Sequence, residues 1–466
     1  MDSNPIFLCC NFCNLQSIMS KLSRRKFIFT AGVATAGTVL IHGCTASKET
    51  AEGTAESTAP ATESTAQPVA NLSPEETPEV TTAKLGFIAL TDAAPLVIAQ
   101  EKGLFAKYGM SGVEVLKQAS WPVTRDNIEL GSAGDGIDGA HILSPMPYLM
   151  TLGKITKQPV PMYILARLNT NGQAISVSED YLETKVGIDS SKMKDVFAKA
   201  KAEDKELNAA VTFPGGTHDL WMRYWLAAGG VDPENDISVI PVPPPQMVAN
   251  MKIGAMETFC VGEPWNAQLV NQKQGYTALV TGEIWKNHPE KALAMRADWV
   301  DKNPKAARAL TKAVLEAQQW CDKPENKQEM CELVSQDKWF KVPVEDIIGR
   351  LQGTIDYGDG RPVAENPDIS MKFWKDNASY PYKSHDLWFV TEDIRWGYIP
   401  ADTDAKALVD KVNRSDIWKE AAKAIKVPDA EIPTSDSRGI ETFFDGVKFD
   451  PENPQAYLDG LKIKKA

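Results

Sequence analysis

Strand-like and helix-like apolar segments alternate along most of this chain, and this alternation is the feature that most constrains the fold. The predicted strands are 83–90, 113–118, 139–145, 161–168, 209–216, 236–244 and 255–264, and the predicted helices are 94–109, 148–154 and 303–321. Such alternation predicts parallel sheets with helices on both faces. Because the alternation of strands and helices restarts near residue 209, we expect an α/β protein with a ligand cleft between two domains.

The first forty-four residues have the pattern of an export signal. Arg24 and Arg25 precede an apolar run over 27–41, which is too short to span a bilayer as a stable helix. Gly43 lies directly before Cys44, as at a lipoprotein cleavage site, and we expect Cys44 to become the lipidated first residue. The alternative is a general secretory signal in which Cys44 is incidental.

The residues on either side of this signal have simple interpretations. Residues 1–18 add nothing that a signal needs, and we expect them to be an overlong start ahead of Met19. Residues 45–80 are rich in Thr, Ala, Glu, Ser and Pro and have almost no large apolar side chain. Such a segment buries too little surface to offset its ordering entropy, so it predicts a disordered tether that ends where the folded part begins, near Thr81.

Charge and cysteine content limit the class of partner. The chain has 62 acidic and 50 basic residues, a formal net charge of -12, which argues against a protein that binds nucleic acid by neutralising phosphates. Beyond the signal, the cysteines are Cys260, Cys321 and Cys331, too few for a disulfide scaffold. Cys321 and Cys331 could pair in an oxidising compartment or stay as free thiols.

No motif of the sequence indicates catalysis. Residues 134–139 match G-x-G-x-x-G, but they precede a predicted strand instead of opening a helix, so a turn-rich loop is the better interpretation. The sequence contains no G-x-x-x-x-G-K-[ST], G-x-S-x-G or H-E-x-x-H motif. The histidines are scattered without ligand spacing, at His42, His141, His218, His288 and His385. We therefore expect no enzyme, no cofactor and no metal centre.

The segment 212–230 predicts a strand end followed by a helix start. Its Pro-Gly-Gly run frees the backbone, Thr217 is a suitable N-cap, and an apolar-rich helix then runs to the glycines at 229–230. Backbone amides and the helix dipole favour a small anion at such a start, where His218 could donate a ring N–H. An ordinary capped helix that binds only water is the alternative.

Four long segments, 91–121, 212–230, 259–265 and 288–307, together resemble the solute-binding lipoproteins of cyanobacterial-type nitrate/nitrite ABC transporters. The resemblance extends from about residue 80 to 462. It implies a type II periplasmic-binding-protein fold, with domain I formed by 81–175 and 292–466 and domain II by 176–291. It further implies a receptor that is lipid-anchored on the periplasmic side of the plasma membrane. This receptor would deliver nitrate and nitrite to ABC permease and ATPase subunits.

The resemblance also assigns ligand contacts to particular residues. By comparison with the nitrate-binding members, the anion is held by Trp121, Gln173, His218, Gly262 and Lys291. Nitrate is a planar, singly charged acceptor, and these residues offer an indole N–H, an amide N–H, an imidazole, a backbone N–H and an ammonium group. The predicted set therefore suits the implied ligand.

Lys291 separates this interpretation from its nearest alternative, a bicarbonate-binding lipoprotein assisted by calcium. The resemblance to those relatives implies a glutamate at this position that works with a bound calcium ion, and a carboxylate or a metal-organised shell can supply the acceptor that the hydroxyl of bicarbonate needs. The chain departs from the nitrate-binding pattern at 122–123, which are Pro-Val instead of Gly-Thr, and at 266–267, which are Asn-Ala instead of Pro-Leu. Proline has no N–H to donate, so the first departure bears on affinity and on the choice between nitrate and nitrite.

Other classes of function stay open at this point. A binder of sulfonates or thiamine precursors would share the fold but would need a larger apolar pocket. An exported enzyme would need a nucleophile or metal constellation. A lipoprotein that senses an anion without a transport role would carry the same binding residues.

Overall fold

The structure is a computed structural model that describes residues 72–464. The predicted signal, the lipidation site Cys44 and residues 45–71 of the predicted tether lie outside the described residues. The last part of that tether, 72–80, is described, and the Glu79 carboxylate accepts hydrogen bonds from the backbone N–H groups of Lys305 and Ala306. All described residues belong to one of the chain's two compact units, Glu63–Ala466.

Two five-stranded sheets form the framework of the described part of the chain. Their strands are β1 Thr82–Phe87, β2 Gly112–Lys117, β3 Gly139–Leu143, β4 Met162–Arg167, β5 Gln173–Ser178, β6 Asn208–Val211, β7 Ser238–Pro241, β8 Thr258–Gly262, β9 Gly275–Val280 and β10 Lys291–Arg296. The first sheet has the order β2-β1-β3-β10-β4, and the second has the order β7-β6-β8-β5-β9. Two short hairpins add β11 Thr354–Ile355 with β12 Ala364–Glu365, and β13 Glu441–Thr442 with β14 Lys448–Phe449.

Helices surround the two sheets. The α-helices are α1 Ala94–Glu101, α2 Leu104–Lys107, α3 Trp121–Leu130, α4 Met146–Thr151, α5 Lys194–Ala202, α6 Thr217–Ala228, α7 Met247–Lys252, α8 Trp265–Asn271, α9 Thr281–Ile284, α10 Ala297–Lys302, α11 Pro304–Cys321, α12 Lys327–Val334, α13 Ile348–Gln352, α14 Lys383–Arg395, α15 Ala405–Val412, α16 Ser415–Ala424 and α17 Pro454–Gly460. Within residues 72–464, no helix has both the length and the apolar character needed to cross a membrane.

Most elements predicted from the sequence are confirmed, with shorter bounds. Each predicted strand corresponds to one of β1–β4 and β6–β8, and the predicted helix 303–321 is α11. The predicted helix 94–109 is instead two helices, because Gly103 adopts the left-handed conformation with φ 66° and breaks the run. The glycine-rich residues 134–139 form a turn ahead of β3, as expected.

The prediction of parallel sheets is wrong, because both sheets are mixed. In the first sheet β10 runs antiparallel to β3 and β4, and in the second sheet β5 runs antiparallel to β8 and β9. The chain reaches β5 directly from β4 and reaches β10 from β9 through one short helix. Each of these strands is inserted between strands from other parts of the chain, β5 between β8 and β9 and β10 between β3 and β4, so its direction is not determined by a crossover connection within the sheet.

The two connections between the sheets, β4 to β5 and β9 to β10, are each followed directly by a predicted site residue. Gln173 begins β5 in the second sheet directly after the first passage, and Lys291 begins β10 in the first sheet directly after the second. The predicted domain boundaries at 175/176 and 291/292 lie close to these passages and stay a prediction.

Free cysteines are found at the three described positions. Cys260, Cys321 and Cys331 are all buried and unpaired. Burial raises the pKa of Cys331 to about 12, so its thiol stays protonated near neutral pH.

A buried glutamine connects β4 to the C-terminal part of the chain. The Gln318 amide N–H group donates to the carbonyls of Arg167, Leu168 and Phe373, and its oxygen accepts a hydrogen bond from the Ser379 hydroxyl. Because Gln318 is fully buried, no water can replace these bonds if the amide is removed.

We predict that Gln318→Leu lowers the free energy of unfolding by about 2–4 kcal/mol, because it leaves buried carbonyl groups without donors. Thermal unfolding followed by circular dichroism measures the change. The matched control is Gln328→Leu on α12. The Gln328 side chain is exposed, and its side-chain hydrogen bond within the described residues is to Glu332. Equal unfolding midpoints for the two variants would contradict the prediction.

Candidate functional site

The structure brings the five sequence-predicted site residues together. Trp121 is the first residue of α3, His218 lies in the first turn of α6, Gln173 and Gly262 are paired across β5 and β8, and Lys291 opens β10. All five are buried, and the side chains of four of them, Gly262 apart, have no exposed surface. These residues come from both sheets and from two helix starts, and they lie together at one buried location. Their role in binding an anion stays a prediction.

Asp92 organises one half of this site. Its carboxylate accepts hydrogen bonds from the His141 Nε2 at 2.6 Å and from the Gln173 Nε2 at 3.0 Å. An ionised carboxylate can only accept, so the Gln173 amide nitrogen must face Asp92 and its oxygen must face the other way. Asp92 thus determines the orientation of the Gln173 amide.

That orientation determines the tautomer of His218. The Gln173 Oε1 accepts from the His218 Nε2 at 2.7 Å, so the proton of the neutral ring is on Nε2. The Nδ1 atom then accepts the hydrogen bond of the Thr212 hydroxyl at the end of β6. Burial, reinforced by the nearby Lys291 ammonium, holds the pKa of His218 well below its usual value. His218 is therefore a neutral imidazole in this network.

Lys291 lies between two carboxylates in the interior. Its ammonium nitrogen is 2.9 Å from the Asp92 Oδ2 and 2.9 Å from the Glu290 Oε1, and all three side chains have no exposed surface. Burial by itself would lower the pKa of Lys291, but the two carboxylates outweigh it and raise that pKa above its usual value. Lys291 is therefore a buried, permanently charged cation at neutral pH.

The Asp92 and Glu290 carboxylates differ in how strongly their neighbours stabilise the ionised form. Burial opposes ionisation of Asp92, but Lys291 and His141 together hold its pKa below the usual range. Burial raises the pKa of Glu290, and its contacts with Lys291, Thr217 and Trp221 offset this only in part. Glu290 is thus the carboxylate of the pair that accepts a proton more readily.

Trp121 offers a donor that no protein atom uses. Its indole Nε1 is buried and has no hydrogen-bond partner within residues 72–464. The ring lies 5.5 Å from that of His141, whose Nδ1 is likewise buried without a partner, and 6.0 Å from the Lys291 ammonium. Buried N–H groups are rarely left unpaired in proteins, so the Trp121 indole nitrogen indicates a place where a ligand atom is held.

The helix that carries His218 begins one residue earlier than expected. Thr217 was predicted as the N-cap of α6, but the N-cap is Gly216, and Thr217 is the first helical residue. The Thr217 hydroxyl instead donates to the Glu290 carboxylate, because β10 and its preceding loop pass directly beside this helix start. The predicted helix end at Gly229 is confirmed.

Gly262 is required for the close approach of two polar side chains. A methyl group at this position would lie 2.5 Å from the Gln173 Oε1 and 3.4 Å from the Asp92 Oδ2, and the first distance is shorter than real contacts allow. The missing side chain therefore lets the strand end fit against the Asp92–Gln173 pair. Pro122, one of the residues that depart from the nitrate-binding pattern, lies in the first turn of α3. A backbone N–H at that position has no helical partner in any case.

Three residues of this network were not found from the sequence, namely Asp92, His141 and Glu290. Asp92 follows β1, His141 lies in the centre of β3, and Glu290 precedes β10. Their only local signal is a charged or titratable side chain inside or beside an apolar strand, which predicts a buried polar group that needs a partner. The partner itself becomes apparent only when the strands of the first sheet are placed side by side.

The enclosed space beside Gln173 is small. A cavity of about 20 Å³ lies against Gln173, Thr91, Glu263 and Arg350, and this volume holds about one water molecule. Among the described residues, no group of three or more His, Cys, Asp or Glu side chains is placed to hold a metal ion.

Comparisons with known proteins find similarity over nearly the whole chain. Residues 76–335 match the NMT1-like family. The nitrate/nitrite binding protein NrtA of Nostoc sp. PCC 7120 is 63% identical over 96% of this chain and 100% of its own length. The bicarbonate-binding protein CmpA of Synechococcus elongatus is 46% identical over 96% of this chain and 99% of its own length.

A solved structure extends the agreement to three dimensions. The crystal structure of the periplasmic nitrate-binding protein NrtA from Synechocystis PCC 6803 superposes with a TM-score of 0.82, at 66% sequence identity, over 83% of this chain and 100% of that chain. The expected α/β periplasmic-binding-protein fold is thereby confirmed. The chain belongs to the NMT1-like family and, within it, to the group of nitrate/nitrite-binding proteins represented by NrtA.

Proposed function

We propose that this protein is an extracytoplasmic receptor for nitrate and nitrite that delivers the anion to an ABC permease and its ATPase subunits. The observation that carries the proposal is the unused, fully buried indole N–H of Trp121 beside the buried ammonium of Lys291. A donor and a cation in one dry location recognise a small anion, because each of them is stronger there than in water. The similarity to NrtA over the whole chain supports the same ligand class.

Nitrate suits this location better than a multiply charged anion does. Asp92 and Glu290 lie on either side of Lys291, so a dianion would meet two negative charges for one positive charge. A singly charged anion can share the Lys291 ammonium and accept from Trp121 at its edge. Charge-assisted hydrogen bonds of this kind contribute about 1.5–3 kcal/mol each, and four or five of them are compatible with micromolar affinity.

The alternative ligand is bicarbonate, as in the more distant relative CmpA. Its hydroxyl must donate to an acceptor, but the carboxylates here are already engaged by protein donors. Glu290 accepts from Thr217, Trp221 and Lys291, and Asp92 accepts from His141, Gln173 and Lys291. The lysine at position 291 favours nitrate, because an ammonium group can only donate and nitrate can only accept.

The remaining parts of the proposal concern location and role. Lipidation at Cys44 would anchor the receptor to the periplasmic side of the plasma membrane, with the residues between Cys44 and the described part of the chain as the tether. The periplasmic placement of the similar Synechocystis protein supports this location. A binding role without catalysis is consistent with the family's members being binding proteins.

We predict that Trp121→Phe weakens nitrate binding about tenfold to a hundredfold, because the variant removes one hydrogen bond to a charged ligand, about 1.5–3 kcal/mol. The fold should keep its stability, because within residues 72–464 the indole N–H has no partner to lose. Isothermal titration of the purified full chain with nitrate, combined with thermal unfolding, measures both effects.

Trp418→Phe is the matched control. The Trp418 side chain is also buried, but its Nε1 donates to the Ser379 hydroxyl at 3.0 Å, away from the site. This variant should unfold at a lower temperature and bind nitrate with unchanged affinity. Unchanged nitrate affinity in Trp121→Phe would contradict the assignment of the indole as a ligand donor.

We further predict that wild-type protein releases or absorbs heat with nitrate and with nitrite, but not with bicarbonate, whether calcium is present or absent. Lys291→Met should abolish nitrate binding, because it removes the cation that compensates the anion. Lys312→Met, at a lysine that is also buried but pairs with Glu76, should bind as the wild type does. A calcium-dependent bicarbonate signal without a nitrate signal would show that the bicarbonate alternative is correct.

A further inference from the structure

The charges enclosed around Lys291 do not balance. Asp92 and Glu290 carry two negative charges, and Lys291 carries one positive charge. Burial lowers the pKa values of His141 and His218, and it lowers that of His288 to about 3, so these neighbouring imidazoles are neutral near pH 7. The enclosed group therefore has a net charge of minus one before any anion enters.

Titratable and charged groups face Glu290 from each surrounding element. They are Lys291 from β10, His218 from α6, His288 from the preceding loop, Arg167 with its partner Asp386 from β4 and α14, and Cys260 from β8. Asp92, with its partner His141, lies on the other side of Lys291. Arg167 and Asp386 neutralise each other as a buried ion pair. Burial also keeps the Cys260 thiol neutral by raising its pKa well above the usual value. None of these groups supplies the missing positive charge.

A bound nitrate would make the imbalance worse. The enclosed net charge would become minus two, in a location where no side chain of the cluster has exposed surface. Buried charge without compensation is strongly unfavourable, and ionisable groups in proteins respond by changing their protonation state. One of the two carboxylates is therefore expected to become neutral when the anion binds.

The contacts identify which carboxylate this is. Besides Lys291, Asp92 has the His141 ring at 2.6 Å and the Gln173 amide at 3.0 Å, whereas Glu290 has the Thr217 hydroxyl and the Trp221 indole. Among the described residues, Lys291 is the one cation within hydrogen-bond distance of Glu290, because His218 and His288 lie 3.7 and 3.8 Å away and are neutral. When Lys291 is shared with a ligand, Glu290 is left with hydroxyl and indole donors, whereas Asp92 is left with an imidazole at 2.6 Å, which is a stronger partner for a negative charge.

We propose that the site binds nitrate together with one proton, and that Glu290 is the residue that takes up the proton from solvent. This proposal rests on the proposed function as a nitrate receptor. The proton cannot be placed on nitrate itself, which is the anion of a strong acid. With the proton on Glu290, the loaded site has the same net charge as the unloaded site. The buried network can then accept the anion without an added charge.

The sign of the pH dependence follows from linkage. Proton uptake means that the pKa of Glu290 is higher in the complex than in the free protein. Affinity for nitrate is then greatest below the pKa of the free protein, where Glu290 is already protonated. It falls by about tenfold per pH unit as the pH rises between the two pKa values, and it levels off above the pKa of the complex.

The test is isothermal titration of the purified full chain with sodium nitrate, at one pH near neutrality, in phosphate, imidazole and Tris buffers. These buffers differ in their enthalpy of ionisation, so the slope of observed heat against that enthalpy counts the protons taken up. We expect one proton per nitrate bound. Equal heats in all three buffers would overturn the proposal and leave the nitrate receptor intact, whereas no binding in any buffer would overturn the proposed function itself.

Glu290→Gln tests the assignment to this residue. The amide is permanently neutral, so the variant should bind nitrate without proton uptake and without the pH dependence. The matched control is Glu257→Gln, at a glutamate whose pKa is also raised by burial but which pairs with Asn208 and Lys205. The control should keep the uptake of one proton. Undiminished uptake in Glu290→Gln would overturn the assignment.

A second measurement decides the matter if Glu290→Gln does not fold, as judged by circular dichroism. Infrared difference spectra of the wild-type protein, recorded with and without nitrate, should show a new C=O stretching band of a protonated carboxylic acid. The matching loss should occur in the carboxylate bands. Absence of the new band would overturn the proposal that a carboxylate takes up the proton.

Discussion

The buried ammonium of Lys291 is the constraint on which the rest of this site depends. An isolated charge in the interior is very unfavourable, so Lys291 requires the carboxylates of Asp92 and Glu290 within 2.9 Å. Each carboxylate then requires its own donors, which are His141 and Gln173 on one side and Thr217 and Trp221 on the other. A single cation thereby orients the side chains of a whole network.

This network joins elements of the two sheets. Asp92, His141 and Lys291 belong to strands of the first sheet or to the segments that follow them, whereas Gln173 begins a strand of the second sheet and His218 follows β6 of that sheet. An anion that shares Lys291 with the carboxylates exchanges bonds on both sides at once. Ligand binding at the proposed site would therefore involve residues of both sheets, as closure of a two-domain receptor requires.

The carboxylates account for selectivity as well as stability. Asp92 has His141 and Gln173 as further partners, Glu290 has Thr217 and Trp221, and both carboxylates share Lys291 as their compensating charge. A small monoanion with one proton fits this arrangement, and a dianion does not, because the positive charge available is limited to one lysine. The contacts that stabilise the buried lysine are thus also the ones on which the proposed ligand class rests.

Local sequence determined much of this protein. Apolar runs and glycine stops were sufficient for seven strands, for α11 and for the end of α6, because these depend on neighbours in the chain. The five proposed ligand residues followed from resemblance to relatives. Tertiary structure alone decided the direction of β5 and β10, and it revealed that Asp92, His141 and Glu290 surround Lys291. The physical reason is that antiparallel pairing and the compensation of a buried charge depend on residues distant in sequence, such as Asp92 and Lys291, whose contact no local pattern records.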